Sequence, residues 1–144
     1  MQASRFSSTL HLCALGATLL LCLPGCKTTR YTVAAGAPTY AADANIKIKP
    51  NKTGNGEIFI EVEHLAPPKR IGKANAGYVA WLLVDGQPTV KLGALEYDEK
   101  RRRGKLHATT PQKKFELQIS LEKSLGVQAP TGPVIIRKAA QSKA

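Results

Sequence analysis

From residue 46 onward apolar and polar residues alternate in short runs broken by turn-forming residues, the pattern of an all-β sandwich. Ile46 and Ile48 open it, and Pro50-Asn51-Lys52-Thr53-Gly54-Asn55-Gly56 follows as a loop. Ile58, Ile60 and Val62 then share one face, with Glu57, Glu61 and Glu63 on the other. Tyr78 to Val84 is apolar throughout, as a central strand covered on both sides requires. Asp85-Gly86-Gln87-Pro88 is a turn, since Gly86 accepts positive φ and Pro88 does not belong deep in a strand. Thr89–Tyr97 and Lys105–Thr110 give two further strands, joined by residues 98–104. The cleanest run is Phe115–Glu122, where Phe115, Leu117, Ile119 and Leu121 point inward and Glu116, Gln118, Ser120 and Glu122 point out. Val134–Arg137 makes a last strand, for about seven in all. No helical stripe of useful length interrupts them, and parallel sheets need crossover helices. The expectation is a small antiparallel immunoglobulin-like β-sandwich over residues 46–138. Trp81, with Val79 and Leu83, is expected at its centre, and residues 139–144 as a disordered tail.

Ahead of the sandwich the pattern changes twice. Met1 to Arg5 carries one positive charge, and Leu10 to Leu23 is an apolar run interrupted by His11. That is the charged start and apolar middle of a secretory signal, too short for an ordinary spanning helix of about 20 residues. The run ends on Leu23-Pro24-Gly25-Cys26. Residues 26–45, rich in Ala and Thr and without sustained periodicity, read as a tether with room for a short first strand. As a flexible coil the tether would span roughly 25 Å.

Leu23-Pro24-Gly25-Cys26 resembles the lipobox of bacterial lipoproteins: an aliphatic residue, a variable one, a small one, then cysteine. The resemblance implies cleavage of residues 1–25 and a thioether-linked diacylglycerol on Cys26. Each buried methylene contributes about 0.8 kcal/mol, so two or three chains anchor a protein stably where one would be marginal. Cys13 and Cys22 would leave with the signal, so the mature chain keeps no thiol for a disulfide, a metal site or a nucleophile. In Gram-negative lipoproteins an aspartate after the cysteine favours inner-membrane retention; Lys27 there implies the outer membrane, facing the periplasm.

Charge changes the picture next. The chain has 21 Lys and Arg against 10 Asp and Glu, a net +11, and loss of Arg5 with the signal leaves +10. An excess of this size attracts polyanions. Its densest cluster is Lys100-Arg101-Arg102-Arg103-Gly104-Lys105, read as a hairpin tip whose Arg forks suit phosphate oxygens. Lys69, Arg70 and Lys73 form a second basic loop. Both also read as solvated turns that keep a small domain soluble. Candidate partners are therefore an anionic envelope lipid or glycolipid, or another envelope protein; nucleic acid is scarce in that compartment and is not expected.

Candidate catalytic chemistry is thin. His64 and His107 are isolated in sequence, and no His-x-x-x-His pair, G-x-S-x-G elbow or phosphate-cradling glycine loop is present. Neither an enzyme nor a bound metal or cofactor is expected. One further likeness covers residues 77–138. Gly77-Tyr78-Val79-Ala80-Trp81-Leu82, Leu92-Gly93-Ala94-Leu95, Phe115–Glu122 and Ala129-Pro130-Thr131-Gly132-Pro133-Val134 together resemble the extracytoplasmic domain of anti-sigma-K-type factors. That family implies a small β-sandwich outside the membrane and brings no catalytic residues. Use of the lipobox would leave no segment in the cytoplasm to hold a sigma factor. A binding or structural module of the envelope is therefore the first expectation, and an accessory sensor for a separate membrane regulator the alternative.

Overall fold

The computed structural model describes residues 28–39 and 41–143; the expected signal segment, residues 1–25, and Cys26 lie outside them. Among the described residues nine strands form two antiparallel sheets. The first holds β1 (Thr29–Ala34), β2 (Asp43–Pro50), β3 (Gly56–Glu63), β7 (Arg103–Thr110) and β6 (Glu96–Asp98), in that spatial order. The second holds β5 (Val90–Ala94), β4 (Gly77–Leu83), β8 (Lys114–Glu122) and β9 (Val134–Gln141). In immunoglobulin lettering β2-β3-β7-β6 is the A-B-E-D sheet and β4-β8-β9 is C-F-G. β5 is added beside C, and β1 lies outside A. A single-turn helix, α1 (Pro68–Ile71), sits in the crossover from β3 to β4.

Alternation builds the core. Ile46 and Ile48 of β2, Ile58, Ile60 and Val62 of β3, and Leu117, Ile119 and Leu121 of β8 all face inward and are at most 2% exposed. At roughly 1.5–3 kcal/mol for each large side chain fully buried, this layer supplies the main drive for the two sheets to pack. It also fixes register, because a slip of one residue would turn β3's isoleucines to water and its glutamates inward.

β4 corrects one expectation. Its central packing comes from Tyr78, Ala80 and Leu82, which belong to the core between the sheets, rather than from Trp81, Val79 and Leu83. Trp81 and Val79 are fully buried all the same, on the opposite face of the second sheet. The β8 residues read as pointing to solvent share that face, and Gln118, Ser120 and Glu122 are buried as well. Residues 123–133, between β8 and β9, return to this face: Leu121 N donates to Pro133 O, and Glu122 is gripped by Thr131 and Gly132. An apolar strand is indifferent to which face is inner, so partners on neighbouring strands decide it.

Two flanking segments also differ from expectation. Residues 26–45 are not a free tether over their described part: Thr29–Ala34 pairs in full with Asp43–Ile48 as β1, and Tyr31 and Val33 pack against the core. Nor, over its described part, is 139–144 a disordered tail, because β9 runs to Gln141, Ser142 is buried and its N–H donates to Lys113 O at 2.9 Å. The run Thr89–Tyr97 is one strand by sequence but two in space. Gly93, at φ 148°, bends the chain beside Leu106, and Leu95 carries it from the second sheet into the first.

Strand directions define two ends. Thr29, Pro50, Gly56, Thr110, Lys114, Leu83 and Gln141 lie at one, called here the near end because the chain enters there from Cys26. The β6–β7 hairpin, α1 and the start of β4 lie at the other. An eight-residue strand puts the two about 25 Å apart.

Candidate functional site

The β6–β7 hairpin carries the basic cluster, as its sequence implies, but the cations are not free. The backbone N–H of Arg101 donates to Asp98 at 3.0 Å and its guanidinium at 2.9 Å. These bonds hold the Asp98 carboxyl below its usual range. Arg103 reaches across to β3, with Nε 3.3 Å from Glu61 and Nη2 2.8 Å from Glu63, and Lys105 Nζ lies 3.4 Å from the same Glu61. Antiparallel pairing places Lys105 directly opposite Glu61, so the register itself makes the lattice. Arg102, at φ 51°, donates to His64 O at 3.3 Å and accepts from Leu65 N at 2.8 Å, docking the tip on the β3–α1 loop. Tyr97 and Tyr78 steady that loop through Leu65 O at 3.0 Å and Ala66 O at 2.6 Å, and burial pushes both phenols up from their ordinary value. Of the predicted anion-binding residues, the structure spends Arg101, Arg103 and Lys105 on carboxylates. Lys100 alone of the five makes no side-chain ion pair or hydrogen bond among the described residues.

The exposed face of the first sheet holds a feature the sequence reading passed over. Phe59 stands between Glu57 and Glu61 on β3, and its ring stacks on His107 of β7 with centroids 4.4 Å apart and planes 9° from parallel. Lys49 of β2 places its ammonium over the Phe59 ring, 4.8 Å from the centroid. A depression of about 640 Å³ runs beside this stack, bordered by Arg30, Asn45, Lys47, Glu61 and Lys105. An aromatic on an otherwise polar face was the available signal. With partners on both neighbouring strands, β2 and β7, the half-buried Phe59 ring serves the sheet as a cross-strand clasp.

The second buried cluster is polar and lies on the far side of the other sheet. Trp81 Nε1 donates to Ser120 Oγ at 2.7 Å, and Ser120 donates onward to Glu122 at 2.6 Å. The Glu122 carboxylate also accepts from Thr131 N at 3.0 Å, from the Thr131 hydroxyl, and from Gly132 N at 3.0 Å. Burial opposes ionisation of Glu122, yet the donors on Ser120, Thr131 and Gly132 outweigh it and hold the carboxyl below its ordinary value. Ser120 and Glu122 resemble a hydroxyl and its base, but both are wholly buried and every partner is structural. Among the described residues no three His, Cys, Asp or Glu side chains gather as a metal ion would need; His64 lies in the loop after β3 and His107 on β7.

The third cluster is the near end itself. Loops 51–55, 84–89 and 111–113 and Ser142 meet there, bridged by Gln112 to Gln87 at 3.3 Å, by Lys113 to Gly54 O and by Ser142 N to Lys113 O. Lys52, Lys113, Lys114 and Lys143 are all exposed at this end, with Asp85 as the exposed acid. Lys49 is offset by Glu57 at 3.2 Å.

Searches of family models, of curated proteins and of solved structures each find no match to this chain.

Proposed function

We propose that the chain is a lipid-anchored, non-catalytic binding or structural module of the bacterial cell envelope. The lipid sits on Cys26, and Lys27 favours the outer membrane of a Gram-negative host. The observation that carries this reading is the junction between leader and domain. A lipobox-like Leu23-Pro24-Gly25-Cys26 is followed, three residues on, by the first strand of the sandwich at Thr29. Cleavage before Cys26 would thus release a chain that is folded almost from its first residue. Two features support a role without catalysis. The buried Ser120–Glu122 pair is consumed by hydrogen bonds that fix residues 123–133, and the basic hairpin is consumed largely by Asp98, Glu61 and Glu63.

Changing Cys26→Ala tests the reading. Metabolic labelling by fatty acid should disappear and the protein should leave the membrane fraction or accumulate unprocessed; labelling equal to the parent's would end it. The partner is an anionic envelope lipid or glycolipid, or another envelope protein, and crosslinking in intact envelopes distinguishes these. The alternative, an accessory sensor for a separate membrane regulator, draws on one observation: three of the strings that resemble anti-sigma-K-type domains meet in the Trp81–Ser120–Glu122–Thr131 network. Recovery of a membrane regulator in that crosslinking would favour it.

A further inference from the structure

We infer that the near end of the sandwich is a docking face for anionic phospholipid headgroups, seating the domain upright on the bilayer with the β6–β7 hairpin pointing away. The inference rests on the lipid-anchor reading of Cys26 and names the surface that reading leaves unassigned.

Charge alone does not choose an end, since Lys69, Arg70, Lys73, Lys100 and Arg102 are exposed at the opposite one. Reach decides. From Cys26 to Thr29 the chain covers at most about 11 Å when fully extended. The β6–β7 hairpin lies about 25 Å farther along the strands. A lipid on Cys26 therefore brings the near end to the headgroups, and an upright domain holds the hairpin about 25 Å above them.

What the bilayer then meets is Lys52, Lys113, Lys114 and Lys143, with Arg30 one position inside β1. Asp85 is the exposed acid of these loops, and Glu57 and Glu116, just inside β3 and β8, are paired with Lys49 and Arg137. Held within a Debye length of about 8 Å, these ammonium groups act on lipid phosphates with little screening. Val90, 51% exposed at the start of β5, gives the same end an apolar contact at the headgroup boundary.

Lipidated protein reconstituted in vesicles carries one fluorescent probe, at Gln87→Cys on the near end or at Lys100→Cys on the hairpin. With Cys26 acylated, no other thiol competes. A headgroup-linked quencher should dim the Gln87 probe several-fold more than the Lys100 probe on vesicles containing phosphatidylglycerol. High salt, or Lys113→Gln with Lys114→Gln and Lys143→Gln, should bring the Gln87 probe to its phosphatidylcholine value. Greater dimming at Lys100, or Gln87 dimming indifferent to phosphatidylglycerol, would overturn the proposal. Failure of the anchor is a separate result, read as loss of flotation with pure phosphatidylcholine vesicles. In that event the Cys26→Ser chain decides. Salt-sensitive flotation with phosphatidylglycerol vesicles, weakened about tenfold or more by the three Lys→Gln changes, supports the basic end. Flotation unchanged by those substitutions, or absent, refutes it.

Discussion

Glu122, the last residue of β8, holds Thr131 and Gly132 nine and ten positions later through both carboxylate oxygens, while Ser120 links the same carboxylate to Trp81. The residues between them have no regular backbone ladder of their own, so this grip, with the Leu121 N–H bond to Pro133 O, is what holds them on the outer face of the second sheet. A buried carboxylate is stable here only because each neighbour donates to it.

Glu122→Ala should therefore destabilise the domain by about 3 kcal/mol or more, since it strands the Thr131 and Gly132 N–H groups; Glu122→Gln, which keeps an acceptor, should cost less. The pH dependence has a definite sign. The folded carboxyl sits below the ordinary 4.5, so the unfolded chain binds the proton more readily, and the contribution is complete above that value. It is lost as pH falls through the lower folded value. Urea unfolding from pH 7 downward should show stability falling below about pH 4.5 in the parent. Glu122→Gln should lack that component, and equal acid sensitivity in both would place the titration elsewhere.

Gly132 is required for a steric reason. A Cβ there would overlap the Leu121 carbonyl oxygen. Gly132→Ala should cost about 1–3 kcal/mol or more and should raise amide exchange at Thr131 and along residues 123–133 before the rest of the sandwich. Protection matching the parent's would show that the segment does not depend on this close approach.

Trp81 is the one tryptophan of the chain and is fully buried. Its emission should be blue-shifted and poorly quenched by iodide. Trp81→Ala should cost about 3–5 kcal/mol, and Trp81→Phe, which keeps most of the ring but removes the donor, about 1 kcal/mol. A solvent-like emission spectrum would contradict its position under residues 123–133.

The fold was legible where one face alone was apolar. Ile58, Ile60 and Val62, and Phe115 through Leu121, announce strand and inner face together. β4 announces only the strand, because Tyr78 to Leu83 is apolar on both sides and the choice between Tyr78 and Trp81 is made by the register with β8. β1 was hard to see because its inner face offers just Tyr31 and Val33, at the edge of a sheet. Glu122 reads as an outward residue from its charge, and what buries it is an aperiodic segment that no pattern of two or 3.6 reveals. The basic hairpin was legible as a hairpin; its neutralisation was not, because Glu61 and Glu63 lie some forty residues earlier and meet Arg103 only through the β3–β7 pairing.

The account turns on one proposed covalent modification, a lipid on Cys26. Intact-mass spectrometry of the protein extracted from membranes measures it directly. The account predicts a chain beginning at Cys26 whose mass exceeds that of residues 26–144 by a diacylglyceryl group, with or without a further acyl chain. A mass matching an unmodified chain, with its N-terminus anywhere else, would contradict it.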